Sequence, residues 1–267
     1  MDKKTNIVVA LDVGTTKICA VAGRKDEHGK VEVLGLGKVE SVGVLRGVVS
    51  NIEKTVTAIT TATNDAKRHA TVDFNAVHVG IAGQHIKSLQ HRGILTRDSI
   101  HTEISQRDID KLVNDMYKLV LPPGDKIIHV IPQEYIVDNE QGIVDPIGMS
   151  GMRMEAKVHI VTCANDMAKN ITKSVERCGL KVDDLVFSAI ASADSVLTDD
   201  EKDLGVCLVD IGGGTTDIAV YTNGALRHCA VFDLIPPHIR RITPVGVDDH
   251  TVGFTAGLAH DFVAGQA

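Results

Sequence analysis

Val209-Asp210-Ile211-Gly212-Gly213-Gly214-Thr215-Thr216-Asp217-Ile218-Ala219-Val220 is the stretch on which the fold turns. An apolar run, Val206 to Val209, leads into an acid; a glycine triplet and two threonines follow, and Ile218 to Tyr221 resumes a β-branched pattern. The spacing predicts a strand, a tight glycine turn and a second strand. Glycine has no Cβ, so backbone N–H groups can turn inward. Such a nest of donors suits phosphate oxygens, and the threonine hydroxyls of Thr215 and Thr216 add to it. Asp210, at the mouth of the turn, would repel a phosphate unless a cation lay between them, and Mg2+ commonly holds carboxylates through its water shell. A glycine-rich hairpin without any ligand accounts for this stretch alone about as well.

A second copy shifts the balance. Leu11-Asp12-Val13-Gly14-Thr15-Thr16-Lys17-Ile18-Cys19-Ala20-Val21 again runs apolar, acid, glycine, Thr-Thr, strand. Asp12 and Asp210 take the same place in the two copies, and the shared kernel is D-[VI]-G-(GG)-T-T-x-I. Two such hairpins far apart in a chain predict two structural halves facing each other across one nucleotide. Lys17 follows Thr15-Thr16, where its ammonium meets a phosphate as a point charge. A charge-assisted contact of that kind contributes about 1.5–3 kcal/mol. Lys17 alone would read as an exposed strand lysine.

Composition excludes several classes. The 267 residues suffice for one large or two ordinary domains, and 43% hydrophobic with 24% charged is globular usage. A net charge of −7 argues against sequence-independent nucleic-acid binding, which needs a basic face. With no Trp and few aromatics, a base-stacking platform or carbohydrate cleft is not expected. No apolar run approaches the ~20 residues of a membrane span, and Met1-Asp2-Lys3-Lys4 lacks the apolar core of a signal peptide. Cys19, Cys163, Cys178, Cys207 and Cys229 form no C-x-x-C pair and are expected as reduced, mostly buried thiols of a cytoplasmic protein. The scattered histidines give no ligand spacing, so no metal site made of side chains alone is expected.

In chain order, strands are expected at Asn6–Val13, Thr16–Gly23 and Lys30–Val39. A helix opened by a Ser50-Asn51-Ile52-Glu53 capping box follows, with Ile52, Val56 and Ile59 on one face, then a strand at Ala76–Ile81. From Gln84 to Thr162 the character changes. A polar strand, His85–Leu95, precedes a helix from Ser105 with a stripe from Ile109 to Val120, stopped by Pro122-Pro123-Gly124. Strands at Lys126–Val137 and Glu155–Thr162 flank a loop from Gly142 to Gly151. The Met149–Met154 stretch is read as a surface connection. Then come a helix capped by Asn165 and closed by Gly179, a strand at Leu185–Phe187, a small-residue helix at Ser188–Leu197 and an acidic turn at Thr198–Asp203.

The two hairpins with an insert between them resemble the actin-like superfamily, whose half-unit is ribonuclease-H-like. Ile131-Pro132 with Glu134-Tyr135, Asp145-Pro146-Ile147-Gly148-Met149, and Leu204-Gly205-Val206-Cys207 before the second hairpin resemble the FtsA family of bacterial cell-division proteins. The resemblance covers residues 5–231. It implies an α/β, actin-like fold with a small inserted α+β domain and a truncated second half. Its divisions are 1–83 with 163–203 as the first core domain, 84–162 as the inserted interaction domain, and 204–231 as the start of the second domain. It implies ATP with Mg2+ held near Asp12 and Asp210 through water; Gly14, Thr15, Thr16 and Lys17 on one side of the phosphates; and Gly212, Gly213, Gly214 and Thr215 on the other. It further implies self-association into filaments on the inner face of the cytoplasmic membrane, anchoring of the tubulin-like FtsZ ring, and recruitment of later division proteins through the insert.

Two departures bear on function. Actin-type hydrolases carry a Glu or Gln at the start of the linking helix to orient the attacking water; here Phe187-Ser188-Ala189-Ile190-Ala191 supplies none, and Asp194 lies further along. At most a weak ATPase is expected, with no catalytic residue assigned. Residues 232–267 hold three prolines and three histidines, carry no sustained helical stripe and match nothing in the family, whose membrane-binding helix is not found there. That tail is a candidate disordered segment. Two other functions remain open: a small-molecule, sugar-type kinase of the same superfamily, and a partner-binding fragment that never closes on nucleotide.

Overall fold

The computed structural model describes residues 7–27, 30–97 and 102–233. The chain opens with β1 (Ile7–Val13), β2 (Lys17–Lys25) and β3 (Val31–Glu40), then a short hairpin of β4 (Val44–Leu45) and β5 (Val48–Val49), α1 (Ile52–Ala70) and β6 (Ala76–Ile81). The insert follows as β7 (Lys87–Thr96), α2 (Gln106–Met116), β8 (Asp125–Val137), β9 (Glu140–Ile143) and β10 (Arg153–Ala164). The chain continues through α3 (Asn165–Glu176), β11 (Lys181–Phe187), α4 (Ser188–Val196) and α5 (Asp199–Leu204) to β12 (Val206–Ile211), β13 (Thr216–Thr222) and β14 (Ala225–Phe232). The expected tail from Leu234 onward lies outside the described residues.

Three sheets carry the architecture. The first runs β11-β6-β1-β2-β3, antiparallel among β1, β2 and β3 and parallel where β6 joins β1 and β11 joins β6. The insert is an antiparallel sheet in the order β7-β10-β8-β9, and the third sheet is the meander β12-β13-β14. Buried side chains form two clusters. One joins the first and third sheets with α1, α3 and α4; the other lies between the inserted sheet and α2, around Leu95, Leu112, Met116, Met154 and Ile160.

The first sheet gains its close seat for α1 from a pattern absent from the helical stripe read in the sequence. The buried face of α1 is Thr55, Ala58, Ile59, Ala62, Thr63, Ala66 and Ala70, and Ile52 and Val56 are only half-buried. Those alanines lie over Gly35 and Gly37 of β3. A Cβ on Gly37 would overlap the Ala62 carbonyl oxygen and come within 2.8 Å of its carbon and 2.9 Å of the Ala66 nitrogen. Small residues on the helix and none on the strand let the backbones approach.

Several expected boundaries move for local reasons. Asn51, not Ser50, caps α1: its Oδ1 accepts from the Lys54 N–H at 3.0 Å, while the Ser50 hydroxyl donates to the Gly43 carbonyl at 3.0 Å and Glu53 pairs with Arg177. The helix begun at Ser105 ends at Met116, well before the prolines, and Val120 at the end of the expected stripe is 98% exposed. Asn165 is the first residue of α3, not its cap. The acidic turn after Thr198 is the short helix α5, in which the Glu201 carboxylate accepts from the Thr198 N–H at 2.8 Å. Strand β9, which runs into the start of the expected loop, has no counterpart among the expected strands. No described helix is long and apolar enough to cross a membrane.

Candidate functional site

The β1–β2 and β12–β13 hairpins are built to one plan. Asp12 pairs with Cys19 and Val13 with Ile18; Asp210 pairs with Asp217 and Ile211 with Thr216. The Gly14 N–H donates to the Lys17 carbonyl at 3.0 Å, and the Gly212 N–H to the Thr215 carbonyl at 2.8 Å. The turns therefore have equal length, and no extra glycine pair is inserted in the second. Asp12 and Asp210 do correspond, but Thr15-Thr16 corresponds to Gly213-Gly214, Lys17 to Thr215 and Cys19 to Asp217. The kernel that aligned Thr15-Thr16 with Thr215-Thr216 is corrected accordingly.

Both turns line one cleft of about 890 Å3, and with them Asp12, Gly14, Thr15, Thr16, Lys17, Asp210, Gly212, Gly213 and Thr215. Gly214 faces elsewhere: a Cβ there would lie 2.8 Å from Thr15 Oγ1 and 3.1 Å from the Arg46 Cα. None of the four turn glycines has a positive φ. Their role is room. A Cβ on Gly213 would overlap the Thr16 methyl and lie 2.9 Å from its hydroxyl. The two turns thus abut, with threonines of the first seated on glycines of the second. The β4–β5 turn supports them from below. Its central residues Arg46 and Gly47 have φ of 50° and 73°, as a type I′ turn requires, and the Gly47 N–H donates to Thr15 Oγ1 at 3.1 Å.

This packing makes a test. Gly213→Ala is expected to cost about 1–3 kcal/mol, in the range of overpacking, by pressing on Thr16. Thr16→Ala made with it removes the opposing methyl and hydroxyl and should recover most of the loss. A double-mutant cycle from urea unfolding measures this; purely additive costs would mean that the turns do not touch.

Charge in the cleft is lopsided. The walls desolvate the Asp12 carboxyl and raise it, Lys17 pulls it down and Asp210 pushes it up, for a net rise above the ordinary carboxylate value. Asp217, only 5% exposed, is pushed up to about 7, first by burial and then by Asp210 and Asp12. Its Oδ1 is buried without a hydrogen-bond partner. Asp217 was missed as a site residue in the sequence, because matching the threonines hid its place opposite Asp210. Counting seven positions on from each leading aspartate would have found it.

Helix α4 floors the cleft with Ser188 and Ser192. It packs on β6 and β11 of the first sheet and on β12 and β13 of the third. Asp194 points away, paired with Lys202 at 2.9 Å. The cleft can therefore receive an anionic group on Lys17, hydroxyls and turn N–H donors, provided that a cation offsets three neighbouring carboxylates. Among the described residues no cluster of three or more His, Cys, Asp or Glu could hold a metal ion by itself. An orphaned oxygen on Asp217, in an acidic group facing a single ammonium, nevertheless fits a hydrated divalent cation carried in with an anion.

The insert reaches the third sheet directly. Ser88 Oγ donates to the Cys229 carbonyl at 3.2 Å, Gln90 Nε2 to that of Arg227 at 3.1 Å, and the Gln133 amide to that of Leu226. Beneath them His159, held down to about 4 by burial, lies 3.6 Å from Cys229 Sγ.

Comparison with known proteins places this arrangement. Residues 83–162 match the family described as SHS2 domain inserted in FTSA. The cell division protein FtsA of Pseudomonas aeruginosa is 48% identical over 85% of this chain and 54% of its own length. That of Escherichia coli K12 is 45% identical over 84% of this chain and 53% of its own. The chain thus spans about half the length of the curated relatives it matches. Among solved structures, a PilM-PilN type IV pilus biogenesis complex aligns with a TM-score of 0.61 and 11% identity over 85% of this chain and 61% of that one, a likeness of fold alone. Over the half of their length that it spans, this chain shares the insert and nearly half of its aligned residues with the FtsA cell-division proteins, and its fold is actin-like.

Proposed function

We propose that the cleft binds ATP with Mg2+, and that the protein is an actin-like division scaffold that responds to nucleotide. Support comes first from one observation: two hairpins of identical register abut across a single cleft that carries an ammonium and three carboxylates. Lys17, Thr15, Thr16 and Gly14 would meet phosphate oxygens from one side, and Gly212, Gly213 and Thr215 from the other. Gly214, behind the turn, would act by letting Thr15 approach. Asp12 and Asp210 would hold the cation through its waters, and Asp217, the register partner of Asp210, would add its charge when ionised. The cation, once bound, neutralises phosphate charge.

The residues favour binding over turnover. α4 presents Ser188, Ala191, Ser192 and Ser195 to the cleft, so no side chain on it can serve as the water-orienting Glu or Gln of actin-type hydrolases, and hydrolysis is slow at most. A transfer to a small molecule would find no catalytic carboxylate on α4 either. As an FtsA-type scaffold the protein would self-associate on the inner face of the cytoplasmic membrane, tie the tubulin-like FtsZ ring to it, and meet later division proteins through the insert.

Titration of ATP in Mg2+, followed by calorimetry, tests the site. Asp12→Ala and Asp210→Ala are each expected to weaken binding about tenfold to a hundredfold, the worth of a charged contact. Undiminished affinity in both variants would rule out the cleft as the nucleotide site.

A further inference from the structure

We infer that Ser192 is a positioning residue for the cation site, acting through Asp210; this rests on the Mg-ATP function proposed above. Ser188 and Ser192 are four residues apart on α4 and so share one helix face. Their hydroxyls point to opposite halves of the molecule. Ser188 Oγ donates to the Ile81 carbonyl at 3.3 Å, at the end of β6 in the first sheet. Ser192 Oγ donates to Asp210 Oδ2 at 2.7 Å, in β12 of the third sheet. One helix thereby fastens both halves with two adjacent hydroxyls, and the second fastening is made on the carboxylate itself.

The consequence is an asymmetry between two aspartates that the register makes equivalent. Asp12 is balanced by a charge, the Lys17 ammonium. Asp210 is held by a hydrogen bond, at the length of a charge-assisted O–H···O contact. That bond fixes the orientation of the Asp210 carboxylate and occupies one oxygen, which leaves Oδ1 to accept from the cation's waters. The Lys202–Asp194 pair ties the C-terminal end of α4 to α5. Gly80 leaves the gap on the Asp12 side, since a Cβ there would lie 3.4 Å from Ser188 Oγ and 3.7 Å from Asp12 Oδ1. Ser192 thus occupies, on the helix where a hydrolase carries its water-orienting residue, a place from which it aims a carboxylate instead.

The experiment compares the full chain with Ser192→Ala, Ser192→Thr and Asp210→Ala. Each is titrated with ATP in Mg2+ and again in EDTA, and Mn2+ binding is read by electron paramagnetic resonance. Ser192→Ala is expected to weaken ATP binding in Mg2+, and Mn2+ binding with ATP present, by about tenfold, the low end for groups that orient metal ligands. Binding in EDTA should not move, and Ser192→Thr, which keeps the hydroxyl, should restore the metal-dependent part. If Asp210→Ala loses affinity while Ser192→Ala matches the unaltered chain, the role of Ser192 is wrong and the cleft still stands. An equal loss with and without metal, or failure of threonine to rescue, would make Ser192 a structural support of α4 and overturn the inference. Normal binding in Asp210→Ala and Asp12→Ala alike would overturn the nucleotide site and this inference together.

Discussion

A chain carrying Gly37→Ala is expected to lose about 4 kcal/mol or more of stability, at the exceptional end of single substitutions. The new methyl has nowhere to go. It would overlap the carbonyl oxygen of Ala62 and crowd the Ala62 carbon and Ala66 nitrogen, all backbone atoms of a regular helix. No rotamer change relieves a clash with backbone, so α1 must lift from β3 and uncover Ile59, Ala62 and Ala66, each of them fully buried. At Gly35, two residues back, an added Cβ would likewise lie 2.5 Å from the Ala70 nitrogen, so the seat gives no slack there. Leu36 supplies the control. It lies between the two glycines, its side chain points to the other face of the sheet, and it is 47% exposed. Leu36→Ala is expected to shift stability by about 0.5 kcal/mol. Urea unfolding followed by circular dichroism compares the two. Equal midpoints for Gly37→Ala and the unaltered chain would mean that α1 does not sit on β3.

That contact also shows what was legible in the sequence and what was not. Hairpins announce themselves locally, because an acid, glycines and β-branched residues stand side by side. Both hairpins, the paired Asp12 and Asp210 and the break in character at Gln84 were therefore read directly. The seat of α1 joins Gly35 and Gly37 to alanines 25 to 35 residues further on, and nothing in either segment alone signals it. A stripe of large apolar residues is the usual sign of a buried helical face; α1 does bury Ile59 of the expected stripe, but most of its buried face is alanines that no such stripe includes. The cap of α1 slipped by one because the Ser50 hydroxyl is taken by Gly43, a partner fixed only by tertiary structure. Asp217 and Ser192 stayed hidden for a related reason. Their meaning depends on strand register and on which helix face meets the cleft, and composition records neither.

The equal registers also change what the glycine triplet is for. As a nest, it would have been a feature of the second hairpin alone. Given that Gly213 and Gly214 receive Thr16 and Thr15, it is half of a contact between the two hairpins, with the bulk on one side and the vacancy on the other. Two identical threonine turns could not approach so closely. The difference between the copies, TT against GG at matched positions, is thus a requirement of their meeting, and it brings Asp12, Asp210 and Asp217 within each other's fields.

Burial and its carboxylate neighbours give Asp217 a pH dependence of its own in the protein without divalent cations. Asp217 titrates near 7 in the fold, against an ordinary value of 3.8. Below about 4 the group is protonated whether folded or unfolded and has no effect. Between about 4 and 7 the unfolded chain releases the proton and the folded chain keeps it, so folding takes up a proton and stability falls as pH rises. Above 7 the loss is complete. At about 1.4 kcal/mol for each pH unit across that window, it reaches about 4 kcal/mol at most. Asp217→Asn cannot ionise, and its unfolding free energy should lack this slope, so that it exceeds the unaltered chain at pH 8 and not at pH 4. Mg2+ with ATP should flatten the slope of the unaltered chain as well, since a cation beside the group favours its ionised form, and should do little to the slope of Asp217→Asn. Urea unfolding at a series of pH values in EDTA, repeated with Mg2+ and ATP, measures both effects. Parallel curves for the two proteins in EDTA would show that Asp217 ionises normally and that the carboxylates do not oppose one another in the empty cleft.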